Sequence, residues 1–531
     1  MLPQLRHHHH IEYDSGGSRA APTYPQPRYG GIFVPLHSNL GVDSILGCGT
    51  RHDYFAGEES ISLNEKIGLG SLQGTETLNR VFRLLSWLLI LLPATVGFLY
   101  IRAFGVSVVY TDAWSMVPLF NQWANGKLTL LDLYVQHNEH RMFFPQAVEL
   151  LMGVATKYNN VAEMYLIEVC FLVTLGVLLF AFRSGTRPAL LLFVPISLLV
   201  FSLRQYENML LGYQINFAFT QTFGVLTFFL LHVLVRSKHK GVTFVAAVGS
   251  ATIASFSTVQ GLLVWPAGLL QLLIGPMGKP TRNILIVVWS LVGLMEWVAY
   301  FAGFERSPEK PSILFALEHP LAGVSFFLTL LGSSLSWEQI PAFLVGLLVA
   351  CLALASLLLL SRGRKLDEYS FWVSLLSYSL LILASITAGR SAMGAYQAMA
   401  PKYATFSILV VVSVYAVLVK TVLERRSATN AALLVTLSAV ILLSAAASYP
   451  AGIWVGRGIE ASRERAALLL STGRYESLPD AVVEDTFGIP RAKTVRKRAP
   501  ILEGLDYNVF SKAQAPEVPR ETVSEKPRTR L

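Results

Sequence analysis

Five consecutive polar or ionisable residues, His137, Asn138, Glu139, His140 and Arg141, follow Asp112 just beyond the first strongly apolar segment of this 531-residue chain. A carboxylate such as Asp112 can take a proton from a hydroxyl, or hold a divalent cation such as Mg or Mn against a phosphate. An interfacial helix cap would also place an acid there, and the neighbouring pentad is what favours chemistry. His137 and His140 are spaced three apart and would share a metal if helical, but no third ligand accompanies them. Hydrogen bonding of these imidazoles and of Asn138 and Glu139 to a sugar or phosphate is the stronger reading, and the metal stays open. Arg141 offers a planar fork of donors that matches phosphate oxygens.

Further candidates lie later in the chain. Arg204, Arg390 and Lys402 sit at boundaries of apolar segments. One such cation can merely snorkel, but four, counting Arg141, on one side of a membrane favour an anionic lipid headgroup there. Between two apolar runs stand Arg204, Gln205, Tyr206, Glu207 and Asn208, then Gly212, Tyr213 and Gln214. Rings cover the apolar face of a pyranose while amides and carboxylates bind its hydroxyls, so Glu207, Asn208 and Gln214 are candidate sugar contacts. Interfacial anchoring accounts for the tyrosines equally well. Glu168 and Glu296 fall inside apolar runs. Ionisable groups at such depth are costly and normally face a cavity, so both point to a cleft.

Apolar spans must position these residues. Hydrophobic residues make up 53% of the chain and charged residues 15%, too few charges to coat a water-soluble globule of this size. An all-α polytopic membrane protein is expected. A crossing needs about 20 apolar residues, and that ruler marks about eleven candidates, at 84–104, 161–182, 189–203, 215–235, 242–257, 261–274, 284–304, 342–360, 371–387, 405–423 and 431–447. Those at 242–257 and 261–274 are short and nearly contiguous, so one of them can be re-entrant. The net charge of +9 is scattered over short loops and tails rather than clustered, which fits membrane topology and not nucleic acid. The three cysteines offer neither a disulfide framework nor a zinc cluster.

Lys and Arg gather at 80–83, 183–187, 236–240, 279–282, 362–365 and 420–426, which assigns those ends to the cytoplasm. The opposite, outer side then holds the pentad, the turn at 204–214, loop 305–341, loop 389–403 and the C-terminal tail. Within the first outer loop, 105–160, Trp114, Met116, Leu119, Phe120 and Trp123 mark one interfacial helix. Phe144, Val148, Leu151 and Met152 mark a second, with Pro145 in its first turn. The expected organisation is a disordered cytoplasmic leader, 1–79, a polytopic catalytic domain, 80–448, and a non-cytoplasmic, partly helical tail, 449–531, more solvated than docked.

A first span followed by an outer acid, a long first loop with interfacial helices and a His-containing turn resembles the GT-C superfamily of membrane glycosyltransferases. The run Ala388, Gly389, Arg390, followed by Gly394, Ala398, Lys402 and Tyr403, is similar to a loop of bacterial members of that group, with Lys402 in place of arginine. The resemblance covers 81–447. It implies a polyprenyl-phosphate-linked sugar donor, a lipid, glycan or protein acceptor, and an inverting hexosyl or pentosyl transfer on the non-cytoplasmic face of a bacterial inner membrane. It makes Asp112 the base, His137, Glu139 and His140 its partners, and Arg141, Arg390, Lys402 and Arg204 the phosphate contacts, with Tyr403 beside them. The first loop lacks the Asp-x-Asp or Asp-Glu pair of better-known members, leaving metal dependence open. A flippase or transporter of a polyprenyl-linked glycan, and an O-antigen-type polymerase or ligase, are the alternatives.

Overall fold

A computed structural model describes residues 64–185, 187–306, 312–425 and 427–514, with side chains from residue 79 onward. The chain divides into two units, Met1–Gly74 and Thr75–Leu531. Of the first, only the opening of a helix is described, and every element beyond that opening belongs to the second. Most of the expected leader lies outside the described residues, whereas 64–79 is helical.

Helices carry the architecture, and among the described residues the only β feature is a bridge between His137 and His140. Helix α1 (Asn64–Phe104) leads into the first loop, which folds α2 (Val117–Ala124) and α3 (Phe143–Thr156). After α4 (Asn160–Phe182) comes a broken crossing made of α5 (Val194–Val200) and α6 (Tyr206–Leu210), then α7 (Ile215–Leu234), α8 (Lys240–Ser255), α9 (Val264–Ile274) and α10 (Lys279–Phe301). Short α11 (Phe315–Glu318) and α12 (Pro320–Gly332) precede α13 (Gln339–Arg362), α14 (Ser370–Arg390), α15 (Ala404–Arg425) and α16 (Ala428–Ser471), and α17 (Asp480–Phe487) and α18 (Ala492–Gly504) close the described chain.

Nine helical stretches among the described residues are long and apolar enough to cross a membrane. The two expected crossings at 242–257 and 261–274 are not among them. They correspond to α8 and to α9 with the tight turn before it, and α8, with 16 residues, reaches only ~24 Å against a hydrocarbon core of ~30 Å. Helix α15 is apolar on every side and sits at the centre of the bundle, with 89% of its apolar window buried, as an all-round hydrophobic helix must be. On α10, Ile284, Val287, Leu291 and Leu294 remain exposed; such a stripe suits contact with lipid tails.

Loop polarity sorts the two ends of the bundle. At one end Lys420 Nζ donates to the Ser184 carbonyl (2.6 Å), Lys365 pairs with Glu424 (2.6 Å), and Ser184 Oγ meets His232 Nε2 (3.1 Å). At the other end Arg204 donates to the carbonyls of Ser336 and Met399, Asn208 to that of Lys402, and Arg141 to those of Tyr300 and Ala302. Residues 184, 232, 365, 420 and 424 thus meet at one end, and residues 204, 208, 336, 399 and 402 at the other. Both ends of α12 lie at the second end: α11 packs on residues 391–393, and Ser336 holds Arg204.

Helices α12 and α13 approach so closely that a Cβ on Gly346 would overlap the Leu328 carbonyl, and one on Gly332 the Ala342 carbonyl. Small residues allow this backbone contact, which lipid-soluble helices use in place of hydrophobic drive. Gly346→Ala is expected to cost about 1–3 kcal/mol through overpacking. Gly249→Ala, whose Cβ would enter open space, is expected to leave stability unchanged. Thermal unfolding of the two variants in detergent checks the contrast.

The C-terminal region corrects the expectation of a solvated tail and of a boundary at 448. Helix α16 runs unbroken for 44 residues, about 66 Å at ~1.5 Å per residue, and passes well beyond any bilayer core. There α17, α18 and the last turn build a second apolar core with the first loop, joining Trp114, Phe120, Leu150, Tyr158 and Tyr213 to Leu470, Phe487, Val495 and Leu502.

Candidate functional site

Asp112 opens a tight turn, Thr111–Met116, just after α1. Thr111 holds a φ of 50°, an unfavourable left-handed conformation for a β-branched residue, costing about 1–3 kcal/mol. The C-terminal region supports it from behind. Arg498 Nη1 donates to the Trp114 carbonyl (2.8 Å), and Gly488, at φ 60°, packs so tightly on Tyr110 and Thr111 that a side chain there would overlap them. Trp114 meets Phe487 edge to face at 5.9 Å.

The pentad forms a small antiparallel loop rather than a helix. The backbones of His137 and His140 exchange both hydrogen bonds (2.8 and 2.9 Å), and Asn138 takes φ 51° at the exposed tip. This loop splits the two imidazoles. His137 Nε2 lies 3.7 Å from Asp112 Oδ1, its ring edge-on to Tyr213 at 5.8 Å. His140 Nδ1 instead accepts from the Val259 N–H (3.2 Å) at the tip of α8 and α9. The two histidines therefore do not converge on one metal, and no group of three His, Cys, Asp or Glu side chains among the described residues is placed to hold one.

Two ion pairs flank Asp112 and His137. Glu139 Oε2 meets Arg390 Nη2 at 3.2 Å, and Lys402 Nζ lies 3.5 Å from Glu207 Oε1, which also accepts from Gln214 Nε2 (3.3 Å). The protein packed around the Asp112 carboxyl pushes its pKa up, although the side chain keeps an open face. Interaction with His137 at 3.7 Å, with the Lys402 charge behind it, outweighs this, so the net shift is downward. Burial of the His140 imidazole takes its pKa down to about 4, so that ring is neutral at physiological pH, with its proton on Nε2. The Asp112 side chain is 61% exposed and that of His137 25%, leaving the pair open to a ligand.

Several expected ligand contacts are committed elsewhere. Arg141 is 6% exposed and donates from Nε to Tyr300 O (2.7 Å), from Nη1 to Tyr134 O (3.0 Å) and from Nη2 to Ala302 O (2.6 Å). Arg204, 3% exposed, lies over Trp337 and donates to two carbonyls. Both are staples for backbone, not open phosphate forks. Asn208 is sealed against Lys402 O and Thr405 Oγ1, and Tyr403 is packed against Phe217. Glu296 accepts from Thr252 Oγ1 (2.6 Å) and Trp265 Nε1 (2.9 Å), inside the bundle between α8, α9 and α10. Glu168 is fully buried beside Gly97 and Met209, with neither carboxyl oxygen hydrogen-bonded. Among the described residues both acids lie inside the packed bundle, where the sequence led us to expect an open cleft.

Residues without any signal in the sequence complete the site. Arg463 donates to the Leu210 carbonyl and lies over the Tyr110 ring, 5.2 Å from its centroid. Ser115 Oγ donates to Tyr213 Oη at 3.0 Å. Arg463 and Arg498 had no visible partner in sequence, whereas Tyr213 belongs to a segment already marked by Glu207, Asn208 and Gln214. No family model, curated protein or solved structure matches this chain.

Proposed function

We propose that the protein is a membrane glycosyltransferase that moves a sugar from a polyprenyl-phosphate donor to an acceptor hydroxyl. One observation carries this reading: an accessible carboxylate in contact with an imidazole, flanked by two cations held in ion pairs, at one end of an apolar bundle. A donor with its tail in lipid and its sugar at the interface needs a site at that depth, and α8 and α9 are short of a full crossing where they meet the His140 loop. In this reading the active end is the non-cytoplasmic one, as the Lys and Arg distribution favours.

The acceptor oxygen attacks the anomeric carbon, the bond from that carbon to the phosphate oxygen breaks, and its electron pair leaves with the phosphate. Asp112 takes the hydroxyl proton, and His137 orients that carboxylate. Arg390 and Lys402 exchange Glu139 and Glu207 for the phosphate oxygens as negative charge grows there. Glu139, Glu207 and Gln214, released or partly released, face the sugar hydroxyls. Arg141 and Arg204 have no place in this set.

The test uses full-length protein in lipid nanodiscs with a radiolabelled polyprenyl-phosphate sugar and a membrane acceptor fraction. Label is expected in a covalent product, with stoichiometric release of polyprenyl phosphate. Movement of intact donor between leaflets with no product would replace this reading with a carrier.

A further inference from the structure

Behind the Asp112–His137 pair lies a second group of acids that the transfer chemistry does not use. Glu149 on α3 and Glu163 on α4 are each 2% exposed, and the two helices pack together. Glu149 Oε2 and Glu163 Oε1 have no hydrogen-bond partner among the described residues. Glu163 Oε2 accepts from Asn160 Nδ2 (3.0 Å), and Asn160 Oδ1 in turn accepts from Asn508 Nδ2 (3.0 Å) in the C-terminal region. Gly212 is pressed on the Glu163 carboxylate, where any side chain would overlap it. That glycine begins the turn that carries Tyr213, the ring on which His137 rests.

Two carboxylates confined together without a cation between them cannot both ionise at low cost. A buried acid with an unpartnered oxygen lacks a donor, and a proton supplies one. We propose that Glu149 and Glu163 form a proton-binding pair, holding one proton between them, that limits the negative charge behind Tyr213 and so keeps the donor phosphate tolerated.

The groups facing Glu149 are Glu163 from α4, Tyr158 from the α3–α4 turn and Tyr213 from the turn before α7. None of these is a cation; Arg498 and Asp112 both act on Tyr213. Burial pushes the Glu149 carboxyl well above the usual carboxylate range, and the charge of Glu163 adds to it. The folded protein then retains a proton that the unfolded chain releases. Stability is therefore expected to fall as pH rises from the ordinary carboxylate range toward the folded-state value. A second ionisation would add a negative charge beside Tyr213.

The influence on the donor phosphate rests on the glycosyl-transfer reading; the proton pair itself does not. Infrared titration of carboxyl bands, with full-length protein in nanodiscs and no substrate, reads the pair directly. Glu168→Gln combined with Glu296→Gln serves as the background that removes the other two buried acids among the described residues. Two separated deprotonation steps are expected with Glu149 and Glu163 present. A single step at intermediate pH is expected in Glu149→Gln and likewise in Glu163→Gln. Single variants that leave the remaining acid titrating as it does in the parent, or two carboxylates ionised throughout, would overturn the pair. For its effect on the site, transfer by the parent should fall as the second proton leaves, and Glu149→Gln should lose that alkaline limb. A retained limb overturns the link to the donor phosphate while leaving the infrared result intact, and absence of any transfer overturns the enzymatic reading alone.

Discussion

Asp112→Asn is expected to lower turnover by about 10²–10⁴-fold, the range that a positioned general base contributes, while leaving the fold intact. The side chain is 61% exposed and its described partner is His137 at 3.7 Å, so an amide of the same shape removes basicity without opening a cavity. Unchanged thermal unfolding beside a collapsed kcat would separate chemistry from structure. Near-normal transfer by Asp112→Asn would remove Asp112 from the mechanism. The pH profile gives a second, independent reading. Because the net effect of its surroundings holds the Asp112 carboxyl below the usual range, the base stays ionised at neutral pH, and the acid limb of activity follows the fall of pH through that depressed value. Lys402 is one of the charges responsible, so Lys402→Met should move the acid limb of kcat/KM upward as well as weaken donor binding.

The sequence made the helices legible because the hydrocarbon core imposes a length and a composition on every crossing. Lys and Arg content likewise sorted the loops that Lys420–Ser184 and Arg204–Met399 bring together. It also marked both members of three site pairs, Asp112 with His137, Glu139 with Arg390 and Glu207 with Lys402. It did not show what a guanidinium points at. Arg141, Arg204 and Arg390 have the same donors, and only packing decides whether these meet a backbone carbonyl or an exchangeable carboxylate. Nor did it show that the C-terminal region folds onto the first loop. Arg498 reaches Trp114 across 384 residues of sequence, and no periodicity in either segment names the other as its partner. Glu149 was hidden for a related reason: in an apolar helix beside Val148 and Leu150, it reads as the polar edge of an amphipathic pattern until the neighbouring helix buries it.

Arg141 is where the two kinds of information part most clearly, and it gives the second large effect. Arg141→Ala would leave the carbonyls of Tyr300, Tyr134 and Ala302 without donors, Tyr300 being fully buried. It also strips the cation from the Tyr134 ring, 4.7 Å from its centroid. At about 1–3 kcal/mol per buried unsatisfied group, and with two of the three carbonyls only partly buried, a loss of about 2–4 kcal/mol is expected. That is enough to detach the pentad from α10. Arg141→Lys keeps the charge but delivers its donors from one point, so it cannot reach three carbonyls spread around a planar fork, and most of the loss should persist. Limited proteolysis within 105–160 and thermal unfolding, both without substrate, measure this. A phosphate-binding arginine would behave in the opposite way: Arg141→Lys would unfold normally, resist the protease, and show its defect only as a raised KM for the donor. The staple and the phosphate fork thus predict different results before any substrate is added, and the three carbonyls already on the guanidinium favour the staple.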